Sequence, residues 1–198
     1  MANSGMHTTM LQRGRTFVFP APWLHHAEDL HYNTTLPTSI ADRENFTYPN
    51  KIVREMTNKA VFGLIDANPE RFDALERAGF RLNRYGDVYE HLYVRYGGHY
   101  VDIGASARIA SGEIGITSKP VERLSDTGVV FQDGTELAAD LIVACTGFEH
   151  DFRADAARVI GEEAAGRMDD YWNIDAEGEI RGLAKFAGRE YCGLNWVE

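Results

Sequence analysis

Only two cysteines, Cys145 and Cys192, occur in the 198 residues. Two cannot build a disulfide framework, and neither has partners at zinc-ligand spacing. No apolar run is long enough to span a bilayer. No basic segment followed by an apolar core opens the chain, so a cytoplasmic location is expected. Positive charge is also scarce: 20 Lys and Arg stand against 30 Asp and Glu, a net charge of −10. That disfavours a nucleic-acid backbone or an anionic membrane as a general partner, although local basic clusters can still bind a phosphate. The motif Gly-x-Gly-x-x-Gly is missing as well. The nearest glycines, Gly97-Gly98 and Gly112 with Gly115, have the wrong spacing. These residues therefore lack the glycine turn that sets a pyrophosphate on a helix N-terminus.

What remains has a globular composition, 44% hydrophobic and 25% charged. The length suits one ordinary domain or part of a larger one. Residues 6–12 read as a strand. Residues 16–48 read as irregular, because Pro20, Pro22 and Pro37 interrupt them and Pro49 follows. Residues 50–67 read as a helix with Ile52, Val53, Met56, Ala60, Phe62 and Leu64 on a broad apolar face. A second helix has Asn68 as its N-cap, Pro69 at its first position and Gly79 as its stop. Residues 100–103 read as a strand and 106–110 as a short helix; Asp102, a carboxylate at the strand end, is either a ligand contact or, more simply, the cap of that helix. Ile114 and Ile116, residues 121–124 and residues 129–131 alternate as strands, and Asp133-Gly134 marks a hairpin. Together they predict a small antiparallel meander.

The apolar run 141–145, stopped by Thr146-Gly147, predicts a fully buried strand; a buried helix segment shares this pattern. Residues 155–165 predict a helix with Val159 and Ile160 facing inward. Residues 170–198 are turn-rich, with few apolar positions. His25, His26 and His31 have no Cys, Asp or Glu at ligand spacing, so no metal is expected. Asn33-Thr34-Thr35 and Asn45-Phe46-Thr47 match the glycosylation pattern by coincidence if the chain is not secreted.

Four stretches carry a likeness in a fixed order: Thr9-Met10-Leu11-Gln12-Arg13-Gly14-Arg15-Thr16, Tyr100-Val101-Asp102-Ile103-Gly104-Ala105-Ser106, the segment from Asp133 through Phe148, and the segment from Tyr171 to Gly182. In this order the chain resembles the flavin-containing monooxygenases of the FMO-like and YUCCA-like type. The resemblance implies an α/β, incomplete Rossmann-like FAD/NAD(P)-binding fold carrying the meander. It implies that residues 1–140 are the remainder of an NADPH-binding domain with a helical insertion. Residues 141–198 would return into the FAD-binding domain and be truncated there, so a fragment is expected. The implied cofactors are FAD and NADPH, with binding by this chain alone in doubt. The implied reaction is insertion of one oxygen atom from O2 into a small organic substrate through a flavin hydroperoxide. A non-catalytic paralogue or truncated product, acting as a nucleotide-binding or interaction module, is the alternative. Self-association through an exposed sheet edge is a further expectation.

The end of the second strand of a Rossmann unit selects the cofactor: a carboxylate binds the NAD ribose and an Arg takes the NADP phosphate. Arg13 and Arg15 stand at that place, with no carboxylate between them. A guanidinium fork suits a phosphate monoester. Arg13 is the candidate phosphate ligand; Arg15 is either a second ligand or a solvated turn arginine. The resemblance also places Thr146 and Gly147 beside the cofactors. It puts the helices of 50–78 on the substrate side, with Phe62 or Phe72 as pocket-lining candidates. Cys145 reads as an inert small residue of the kind often buried, since no base lies near it in sequence. No catalytic acid, base or nucleophile is assigned.

Overall fold

A computed structural model describes residues 1–147, 152–168, 174–176 and 181. The class is α/β, and the chain divides into two compact units. The first comprises Met1–Pro22, Leu64–Tyr85 and Gly98–Gly147; the second comprises Trp23–Gly63, Gly86–Gly97 and Phe148–Glu198. Among the described residues no helix is long and apolar enough to cross a membrane.

The first unit holds all the named strands. Strand β1 (Thr8–Leu11) pairs in parallel with β4 (Ile114–Thr117), and β2 (Phe17–Pro20) pairs in parallel with β3 (His99–Asp102). These are two separate two-stranded sheets. A third sheet is antiparallel, in the order β5 (Val121–Ser125), β6 (Gly128–Phe131), β7 (Glu136–Ala138). The expected meander is therefore present. Ile114 and Ile116 do not belong to it; their strand crosses back to β1. Alternation alone cannot distinguish those two partners, because it reports exposure and not pairing.

Helix α4 (Pro69–Arg77) packs on α5 (Ala105–Ala110), and α5 on β4. Phe17, Val18, Ile65, Phe72, Leu75, Leu82 and Ile109 are fully or nearly fully buried in this unit. Phe80 meets Tyr100 edge-on, with centroids 6.3 Å apart. The end of α4 follows the sequence signal. Gly79 adopts φ 89°, the N–H of Gly79 donates to Glu76 O at 3.0 Å, and the N–H of Phe80 donates to Leu75 O at 3.0 Å. That pair of bonds is a Schellman stop. Its start differs from expectation. Asn68 makes no side-chain cap to α4; its Nδ2 donates back to Leu64 O at 2.8 Å, closing the preceding helix instead.

Residues 16–48 are not irregular. They form β2, then α1 (Ala21–His31) and α2 (Thr38–Thr47). The prolines lie at element boundaries: Pro20 ends β2, Pro22 occupies the first turn of α1, and Pro37 precedes α2. Proline is tolerated there because the first helical N–H groups have no partner in any case.

Helix α3 (Asn50–Ala67) has the predicted bounds. Its predicted apolar face is not the buried one. Ile52, Met56 and Leu64 are exposed, whereas Val61 and Ile65 are buried.

In the second unit, Arg54 pairs with Asp87 at 2.6 Å, and Nδ1 of the buried His91 lies 3.0 Å from Gly97 O. Residues 90–94 form a single π-turn. The predicted helix over 155–165 is two helices, α6 (Phe152–Ile160) and α7 (Glu162–Gly166), separated by Gly161 at φ 85°. Ala156, Ala165 and Met168 form their core, with Ile160 packed against it. Val159 points outward, 85% exposed, contrary to expectation.

The largest departure is the run 141–145. It forms no strand, and Leu141, Ile142 and Val143 are all exposed. A strand buried on both faces needs strand neighbours and covering layers, and among the described residues no strand pairs with this run. The segment 170–198, including Cys192, lies outside the described residues except at 174–176 and 181.

Candidate functional site

Strand β1 ends at Leu11 and hands the chain to Gln12, whose N–H still donates to Thr117 O of the β4 partner at 2.8 Å. The Gln12 side chain is buried and fully used. Its Oε1 accepts from the N–H of Arg81 at 2.7 Å. Its Nε2 donates to Arg81 O at 2.9 Å and to Thr16 Oγ1 at 3.0 Å. Thr16 N–H also donates to Arg81 O, at 2.9 Å. The loop Arg13-Gly14-Arg15 thus spans two residues that are both tied to Arg81. The Schellman stop of α4 brings Arg81 here, two residues after Gly79.

Three arginines meet at this loop. Arg81 Nη1 donates to Arg13 O at 3.1 Å, and Arg15 Nη1 donates to Leu82 O at 3.0 Å. Arg13, Arg15 and Arg81 are exposed. None of the three has a carboxylate partner among the described residues. In the same unit, Arg71, Arg84 and Arg108 pair with Asp102, with Asp73 and Glu76, and with Glu113. The loop therefore concentrates uncompensated positive charge in a chain of net charge −10. It also carries guanidinium donors left over after positioning, which suits an anion with several acceptor oxygens. Sequence reasoning found Arg13 and Arg15. It missed Arg81 and Gln12, since a separation of 69 residues leaves no local signal.

Thr146 and Gly147 are exposed, and Gly147 has φ 89°. Among the described residues no hydrogen bond or ion pair joins them to the arginine loop. Cys145 is an exposed free thiol, not a buried filler. Phe72 is a core residue of the first unit and not a pocket wall; Arg84 lies over its ring at 6.0 Å.

The β3–α5 turn has the strand–loop–helix form that holds phosphates elsewhere, and Gly104 adopts φ 125°. Here its amides are taken. Asp102 Oδ1 accepts from the N–H of Gly104 at 2.9 Å and of Ser106 at 3.1 Å, and Oδ2 pairs with Arg71. Burial alone would push this carboxyl up. The hydrogen bonds from Ser106 and Gly104, with that of Arg71, outweigh it and hold the carboxyl below its ordinary range. An ionised carboxylate already fills the turn, and it would repel a phosphate. Asp102 is a helix cap, as the simpler reading of the sequence expected. Burial raises the neighbouring Tyr100 hydroxyl, which lies 2.8 Å from Ser106 Oγ.

Among the described residues no three His, Cys, Asp or Glu side chains gather as a metal site. No protein-family model matches the sequence, and none of the curated proteins searched matches it.

Proposed function

We propose that this chain is part of a FAD- and NADPH-dependent monooxygenase, an oxidoreductase that transfers one oxygen atom from O2 to a small organic substrate. In this reading the arginine loop after β1 receives the 2′-phosphate of NADPH, with Arg13 as the principal contact and Arg15 beside it. The observation that carries the reading is the loop itself. It presents exposed guanidiniums that have no carboxylate partner among the described residues, at the end of a strand in a parallel pair. A site for NAD would place a carboxylate here for the ribose hydroxyl, and none is present. The ordered resemblance of the four sequence stretches supports the same reading, and with it the Rossmann-like form of the fold.

The residues fit the phosphate of NADPH and do not supply a cradle for the pyrophosphate of FAD. The glycine motif is missing, and the amides of the β3–α5 turn are occupied by Asp102. FAD enters on the resemblance alone, and no chemical step is derived through it. Bound NADPH supplies hydride. The chain's own residues bind and orient its phosphate end. A second reading, a nucleotide-binding module without redox chemistry, gains support from the filled β3–α5 turn.

Calorimetric titration of NADP and NAD against the wild type and Arg13→Ala tests the reading. The wild type is expected to prefer NADP. Arg13→Ala is expected to remove about 1.5–3 kcal/mol of that preference, the usual loss for a charge-assisted contact. Equal affinities for the two nucleotides, unchanged by the substitution, would reject it.

A further inference from the structure

We propose that Arg81 is a third contact for the 2′-phosphate and that Gln12 is the residue that positions it. This rests on the reading that the β1 loop binds a phosphate monoester.

A phosphate monoester offers three terminal oxygens, more acceptor sites than one guanidinium fork can satisfy. Arg13 and Arg15 supply two forks from one loop. Arg81 supplies a third from the end of α4, and its Nη1 already rests on the Arg13 carbonyl. One donor of that guanidinium is spent in holding it there; among the described residues no carboxylate neutralises the rest of the fork. The reciprocal bond from Arg15 to Leu82 O fixes the second arginine against the same segment.

Gln12 makes this arrangement specific. Both ends of its amide bind the backbone of one residue, Arg81, and Nε2 also binds Thr16 on the far side of the loop. Its burial shields these bonds from exchange with water. The loop and Arg81 are thereby held in one geometry before any ligand arrives. Preorganisation of this kind lowers the ordering cost of binding. A glutamine retained only to satisfy strand-end amides would leave ligand discrimination unchanged when replaced.

The test compares 2′,5′-ADP with 5′-AMP, two probes that differ only in the 2′-phosphate. The affinity ratio isolates that phosphate, whereas a general folding defect weakens both probes. Arg81→Ala is expected to weaken 2′,5′-ADP by ~10-fold while 5′-AMP changes little. Arg81→Lys is expected to recover part of the loss, since it restores the charge without the fork. Gln12→Met keeps the length but removes both hydrogen-bonding ends, and is expected to lower the ratio likewise. If Arg13→Ala abolishes the ratio while Arg81→Ala and Gln12→Met leave it intact, this inference is overturned and the proposed function stands. If the wild type shows no preference for 2′,5′-ADP, both fall. The Arg81 arm decides the matter even where Gln12→Met fails to fold, because residue 81 keeps its backbone bonds to Gln12 and Thr16 whatever its side chain.

Discussion

Arg71 and Asp102 form an ion pair in which the carboxylate is buried and the guanidinium reaches solvent. The pair ties α4 to the end of β3, and the same carboxylate caps α5 through Gly104 and Ser106. Its two sides are therefore unequal. Arg71→Met leaves a buried charge with only its hydrogen bonds from Gly104 and Ser106, at a cost of about 3 kcal/mol. Asp102→Asn keeps one acceptor for the amides and leaves Arg71 to water, at about 1–2 kcal/mol. Urea denaturation of the two variants checks the order; a larger loss for Asp102→Asn would contradict it.

The same carboxyl predicts an acid dependence. Its value in the folded chain is depressed, so its contribution is present above the unfolded carboxylate value. It is lost as pH falls through the lower, folded value. Between about pH 5 and pH 3 the wild type should lose more stability than Asp102→Asn. Parallel slopes over that window would show that Asp102 is not the group responsible.

Gly128 opens β6 at φ 155°, and a Cβ there would lie 2.1 Å from Leu137 O. That oxygen belongs to the backbone of the paired strand β7 and cannot move aside alone. Gly128→Ala should separate β6 from β7 at a cost of about 2–3 kcal/mol. Amide exchange at Leu137 and Ala139 should rise. Unchanged protection there would mean that the hairpin absorbs the methyl group elsewhere.

The purified chain should be colourless. Its candidate phosphate turn is filled by Asp102, and no glycine motif replaces it. A visible spectrum with one flavin per chain would defeat this expectation and require a flavin site elsewhere in the chain.

Leu141, Ile142 and Val143 stand exposed beyond β7, an edge strand of its sheet. An unpaired edge beside apolar residues templates pairing with another chain. The charge of −10 opposes this weakly, since salt screens it within about 8 Å. Sedimentation velocity should show concentration-dependent association, reduced in Val143→Lys. A clean monomer at every concentration would remove the run from consideration as a contact.

Several elements were legible because their signals are local. The limits of α3, the Schellman stop at Gly79, the cap formed by Asp102 and the hairpin at Asp133-Gly134 each depend on residues within a few positions of one another. Prolines misled where their number was read without their place. Pro22 and Pro37 help to start α1 and α2 and do not break them. The two parallel pairs were not legible, because alternation reports which face is buried and not which strand lies alongside.

The sequence by itself determined the α/β class, the meander, the two arginines after β1 and the negative charge that makes them exceptional. Propensity, capping and charge act over one or two turns of chain, and residue order suffices to read them. Only the tertiary structure decided that Gln12 clamps Arg81 across 69 residues, that Asp102 fills the β3–α5 turn, and that the apolar run after Asp140 remains exposed. Each of these depends on which distant segment arrives to supply a partner. Burial and hydrogen bonding reward the contact once made, whatever its distance along the chain.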